Sequence, residues 1–186
     1  MNTLTGKSNV FFLTATAVLI AIGTVIPMFA PRVVIEPASY TLASHVAIFI
    51  AMFISPKVAV GVAVGTTLGF LFAGFPPAIV LRAMTHVFWA FPGALYLARI
   101  DKFNISFLKL RAFSFVVGVV HALLEVIVVV LFFFGTGFPE GQGLGWVFLF
   151  IGVGTVIHSM VDLEIANVVR HALQTQKSYR DLAGNK

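Results

Sequence analysis

Cysteine is absent from the 186-residue chain, which excludes disulfides, thiolate metal sites and a cysteine nucleophile. Charge is almost as scarce. Asp, Glu, Lys and Arg make up 10% of residues against 59% hydrophobic ones, too little polar surface to coat a soluble globule of this length. No hydrophilic stretch is large enough for a separate soluble domain. The sequence contains neither G-x-x-x-x-G-K-[ST] nor H-E-x-x-H, so it lacks both the phosphate cradle of an ATPase and the paired ligands of a zinc hydrolase. The short alternating segments that a membrane barrel requires are missing too.

What remains is a succession of apolar stretches, with a mean hydropathy of +1.02. They suit helices of roughly 17–25 residues crossing a ~30 Å hydrocarbon core. The predicted fold is an all-α integral membrane bundle of six transmembrane helices, a single domain over 1–186. The predicted segments are 10–30, 41–55, 57–73, 77–98, 108–134 and 144–171. The first is longer than the apolar region of a cleaved signal peptide and is read as a retained helix. Pro56 sets a tight turn between the second and third segments, and Pro76 and Pro77 open the fourth.

Charge sets the orientation. With the N-terminus in the cytoplasm, that side collects Lys7, Lys57, Arg99, Lys102, Lys109, Arg111, Arg170, Lys177, Arg180 and Lys186, ten of the twelve Lys and Arg. The other side keeps Arg32, Glu36 and Glu140. This is the positive-inside pattern, and it places both termini inside. The pI near 9.9 does not indicate nucleic acid, because the basic residues are dispersed at helix ends.

Arg82 departs from that pattern by lying within a span. A guanidinium at membrane depth costs at least ~2.5 kcal/mol, so it faces a cavity or a partner. His86 and Trp89 follow at i+4 and i+7 on the same helical face. His45, His121, Glu125 and His158 fall mainly in the outer half of other segments, beneath a proline-rich loop that runs from Pro31 to Tyr40. An outward-facing pocket would thus offer one fixed cation and several hydrogen-bonding groups, with Trp89 available for stacking. A carboxylate-bearing ligand would satisfy Arg82 in a bidentate pair.

The plainer alternative is an Arg82–Glu125 pair that ties two helices. His121-x3-Glu125 and His158-x3-Asp162 read as histidine–carboxylate hydrogen bonds, with metal or haem ligation the sharper alternatives; no metal is expected. Small residues recur at a spacing of four, as Ala17 and Ala21 in the first segment and Gly61, Gly65 and Gly69 in the third. Such faces let helices approach closely in lipid. Internal packing is the plainer reading of the glycines, whereas the alanines suit either packing or docking to a partner.

Taken together, the helix count, the Ala17-x3-Ala21 pair, the long first loop and the polar outer halves resemble an S component, the substrate-binding membrane subunit of an energy-coupling factor vitamin transporter. The stretches 51–57, 65–70 and 81–86 are similar to those of niacin-type members. This resemblance implies docking through Ala17 and Ala21 onto a transmembrane coupling subunit, with ATP and Mg at two cytoplasmic ATPases and no cofactor in this chain. It also implies capture under the first loop, followed by toppling of the subunit.

Pantothenate is the nearest rival cargo, since it too offers a carboxylate; pyridoxine or a hydroxymethylpyrimidine would need another role for Arg82. The start Met1-Asn2-Thr3 lacks the histidine of cobalt- or nickel-specific members. A stand-alone secondary transporter or channel predicts inverted repeats, and none is found between the halves.

Overall fold

Nine consecutive apolar residues, Val46–Ile54, form a helix buried on every side, and the rest of the bundle is built around it. The computed structural model describes residues 3–35, 38–102, 104–138 and 140–176; the side chains of 3–8, 38 and 136 are not described. The elements in chain order are α1 (Thr3–Phe29), β1 (Arg32–Ile35), β2 (Ala38–Thr41), α2 (Val46–Ile54), α3 (Pro56–Phe72), α4 (Pro77–Met84), α5 (His86–Arg99), α6 (Phe107–Thr136), α7 (Leu144–Trp146), a π-helical stretch (Val147–Val153) and α8 (Gly154–Gln174). A helix that is apolar all round must be enclosed, and α2 packs against α1, α3, α5 and α8.

Both ends of α2 are fixed by polar groups. Ser55 closes it with an N–H to Ala51 O and opens α3 by accepting from Val58 N at 3.2 Å, with Pro56 at the first helical position. Proline is preorganised there and loses no intrahelical bond. Lys102 Nζ donates to Ile54 O at 3.3 Å. The buried Arg170 holds the same end of the bundle, donating to Lys102 O at 2.7 Å and lying 4.8 Å over the Phe53 ring. An Arg111–Glu164 ion pair links α6 to α8.

The glycine stripe of α3 packs internally, against α1. A Cβ on Gly61 would come 2.9 Å from Thr16 Cγ2, while Gly65 and Gly69 face Ile20 and Thr24. The ridge Thr16, Ile20, Thr24 therefore fits a groove of matching four-residue spacing.

Two sequence expectations are corrected. The second segment does not begin as a helix at 41: Thr41 ends β2, residues 42–45 form a turn, and the helix starts at Val46. A side chain from α8 satisfies the turn, with Asp162 accepting the N–H groups of Ala43 and His45 at 2.9 Å each. The first loop is not wholly irregular either. β1 and β2 form an antiparallel hairpin with Val33 opposite Tyr40, the one sheet among the described residues.

The fourth segment is interrupted as a helix at Thr85, whose hydroxyl donates to Arg82 O at 2.7 Å; such local side-chain bonds compete with the regular ladder. Among the described residues, four helices are long and apolar enough to cross a membrane, namely Asn9–Phe29, Pro77–Arg99, Phe107–Gly135 and Leu144–Gln174. The chain is thus an all-α membrane protein. At 1.5 Å per residue, α3 reaches about 25 Å and α2 only about 13 Å, so α2 is too short for a full crossing. Of the charges used for orientation, Glu36, Lys177, Arg180 and Lys186 lie outside the described residues, as does the Lys7 side chain.

Candidate functional site

Arg82, in the last turn of α4, is 8% exposed and aims Nη2 at Glu125 on α6. The Nη2–Oε2 distance is 2.8 Å, and Thr155 Oγ1 of α8 donates to the same oxygen at 2.8 Å. The other carboxylate oxygen lies 3.3 Å from His121 Nε2 and 4.0 Å from His86 Nε2. Neither histidine makes an aligned hydrogen bond there. Glu125 thus gathers α4, α5, α6 and α8 around one buried charge pair.

A second node forms on Asp162, which is fully buried in α8. Besides the two backbone N–H groups that start α2, it accepts from His45 Nδ1 at 3.1 Å and from Ser44 Oγ at 3.4 Å. An acceptor-only carboxylate fixes the His45 tautomer with the proton on Nδ1. Ser44 Oγ also lies 3.0 Å from His158 Nε2. His45 is the hub of the ring contacts, its centroid 4.7 Å from His121, 4.9 Å from His86 and 5.1 Å from His158.

These groups line a cavity of about 70 Å³ beneath the hairpin. Arg32, Ser39, Tyr40 and Thr41 roof it, and Ser44, His45, Arg82, His86, Glu125 and His158 supply polar walls, with Phe70, Phe75 and Ile79 among the apolar ones. Six of the eight sequence-predicted binding residues therefore converge. Trp89 and His121 stand behind this set: the Trp89 ring contacts His86, His121 and Phe49, and it lines a separate apolar groove between α5 and α6. Ala17 and Ala21 lie elsewhere, on an exposed face of α1.

Tyr40 joins the hairpin to α8. Its ring sits 5.4 Å from His158, in space left by Gly154, where a Cβ would come 2.8 Å from Tyr40 Cζ. Burial pushes the Tyr40 phenol above its ordinary value, against the pull of the Arg82 charge, so it is a neutral hydroxyl at pH 7.

Several buried polar atoms at the site have no hydrogen-bond partner: Arg82 Nε, Tyr40 OH, Trp89 Nε1 and both ring nitrogens of His86 and of His121. Burying such groups unpaired is costly, and their concentration in one place marks a site for a polar ligand. Ser44 in the cavity wall, and Thr155 and Asp162, which hold Glu125 and His45 from behind, were not among the sequence-predicted binding residues. The stripe Thr155, His158, Ser159, Asp162 along one face of the last segment is the signal that points to two of them.

The chain is 40% identical, over an alignment of 168 residues, to the niacin transporter NiaX of Lactococcus lactis subsp. cremoris (strain MG1363); the match covers 88% of this chain and 75% of that protein. No family model and no solved structure gives a significant match.

Proposed function

Because the chain belongs to the niacin-type S components of energy-coupling factor transporters, we propose that it captures nicotinate in the cavity beneath the hairpin and delivers it through a coupling module. It is a multi-pass cell-membrane transport protein. The observation that carries the substrate reading is Arg82, buried at the cavity wall with Nε unpartnered while Nη2 holds Glu125. A ligand carboxylate would take the free edge of the guanidinium in a charge-assisted pair. The pyridine ring would lie among the imidazoles, where His86 can donate to its nitrogen.

A cavity of about 150 Å³ accommodates benzene and the one here is about 70 Å³, so on this reading the hairpin moves outward to admit a single ring. Pantothenate shares the carboxylate but is a flexible chain, which planar walls of imidazole suit less well.

On this reading both termini lie in the cytoplasm, as the distribution of Lys and Arg supports, and the chain would cross with six helical segments, α2 being a partial crossing. The exposed Ala17–Ala21 face docks on a transmembrane coupling subunit. Two cytoplasmic ATPases supply the ATP and Mg chemistry that this chain has no motif to perform. The test is calorimetric titration of the detergent-purified subunit with nicotinate, nicotinamide and pantothenate. Nicotinate should bind tightly and nicotinamide, which lacks the charge, far more weakly. Equal affinity for the two, or no binding of nicotinate, overturns the assignment of Arg82.

A further inference from the structure

Three imidazoles, two from helices and one from the turn before α2, meet at the inner side of the cavity, His45 and His86 in its wall and His121 behind it, and their arrangement is that of a tripod. His45 precedes α2, His86 opens α5 and His121 lies on α6; none is more than 8% exposed. The ring centroids are separated by 4.9, 4.7 and 5.0 Å, and each pair of rings is nearly perpendicular, at 76°, 77° and 88°. With metal–nitrogen bonds of ~2.0–2.1 Å and a ring centre about 1.1 Å behind each nitrogen, imidazoles on a tetrahedral ion stand about 5.2 Å apart. The three rings already hold nearly that spacing. One nitrogen from each lies within 4.8 Å of the others, against about 3.3 Å around a tetrahedral ion with bonds of ~2.0–2.1 Å, so the rings would turn inward to bind.

We propose that His45, His86 and His121 bind a divalent transition-metal ion of borderline softness, Zn²⁺ being the reference case, at the inner wall of the cavity. The donor set is chemically suited to it, since neutral imidazole is a good ligand for zinc, nickel and copper. It also answers the unpaired nitrogens. His86 and His121 bury both ring nitrogens without a hydrogen bond, and a cation would take one lone pair from each. Asp162 holds His45 through Nδ1 at 3.1 Å, leaving the lone pair on Nε2. A carboxylate behind a ligating histidine in this way fixes its tautomer and raises its basicity. Glu125 Oε1 stands beside His121 and His86 in a similar position.

Charge points the same way. Near the cavity Arg82 contributes one buried positive charge, and Glu125 and Asp162 one negative charge each. The other buried arginine, Arg170, lies at the far end of α2, against Lys102 and Phe53, and Arg32 is exposed at the hairpin. Among the described residues the cavity end of the bundle is therefore formally anionic before any carboxylate ligand arrives, and a divalent ion reverses that. A second grouping, His45, His158 and Asp162, is the weaker candidate, because Asp162 is already engaged by two backbone N–H groups and His45 Nδ1.

This site shares His45 and His86 with the cavity proposed for nicotinate but is tested without that ligand, so its failure and the failure of the nicotinate reading are distinguishable. The full chain, purified on a histidine-free tag and stripped with EDTA, is dialysed against Zn²⁺ and its metal content measured; Co²⁺ is added in parallel and its visible ligand-field bands recorded. The expected result is about one ion per chain, with the strong absorption of tetrahedral Co²⁺. His86→Gln and His121→Ala should both lose it, while His171→Ala, at the far end of α8, should keep it. Each variant is scored only if it elutes as a monodisperse species, and His86→Gln decides the matter if His121→Ala does not fold. Substoichiometric binding by the unsubstituted chain, undiminished binding by His86→Gln, or loss confined to His158→Ala overturns the proposal.

Discussion

Removing Arg82 alone should damage the fold as well as the site. Arg82→Met leaves the Glu125 carboxylate, 3% exposed, with the Thr155 hydroxyl as its remaining hydrogen-bond donor among the described residues. Breaking a buried pair from one side costs about 3–5 kcal/mol, whereas replacing both partners by apolar groups is close to neutral. Arg82→Met with Glu125→Leu should therefore recover most of the loss. The two single substitutions would add to roughly 6–10 kcal/mol if independent, so nearly all of that appears as coupling in a double-mutant cycle. The assay is SDS-titrated unfolding of the detergent-solubilised subunit followed by circular dichroism, alongside nicotinate titration. Arg82→Met should unfold at much lower SDS, and the double variant near the parent, yet neither should bind nicotinate. A single variant as stable as the parent, or a double variant no better than the single, refutes the claim that Glu125 depends on Arg82. The double variant also shows that lost binding comes from the missing guanidinium rather than from a disrupted bundle.

Three other outcomes are expected. Gly65→Leu places a side chain where Ile20 of α1 already lies and should cost about 1–3 kcal/mol, read as a lower unfolding midpoint; an unchanged midpoint would reject the α1–α3 groove. Ala17→Trp with Ala21→Trp should leave nicotinate binding by the isolated subunit intact while abolishing uptake in cells that carry the coupling module, and normal uptake would discard that face as the docking surface. Gly154→Val should displace the Tyr40 ring and loosen the hairpin, giving faster nicotinate release in stopped-flow measurements with little change in secondary structure. An unaltered release rate would show that Tyr40 does not hold the hairpin down.

The sequence made the long helices legible because hydropathy over some twenty residues is a local property, and it singled out Arg82 because one charge in such a run is conspicuous. The glycines of α3 were recognisable as a close-packing face through their period. The start of α2 was not. Val46 to Ile54 is preceded by Ala43, Ser44 and His45, and the carboxylate that ends the turn there is Asp162 on another helix. The hairpin was missed because the stretch from Arg32 to Thr41 is short and carries Glu36 and Pro37 in its middle, and the packing of Tyr40 against Gly154 of another segment is not visible along the chain. His45, His86, His121 and His158 could each be noticed singly. Their convergence depends on how four separate segments pack, and no spacing along the chain encodes it.

The brevity of α2 has an electrical corollary. At about 13 Å it covers less than half of a ~30 Å hydrocarbon core, so in the proposed orientation, with Lys57 at the cytoplasmic surface, the hairpin above it would lie at bilayer depth. Backbone of that kind is tolerated there only beside protein or water, and the cavity under β1 and β2 opens the second possibility. Water reaching Arg82 carries bulk potential down with it and compresses the transmembrane field into the thinner layer beneath. A full crossing at 100 mV is worth about 2.3 kcal/mol per elementary charge. An anion arriving through such a vestibule meets only a fraction of that drop, so capture would be almost indifferent to membrane voltage, and the electrical work would fall on whatever step later carries the loaded site across.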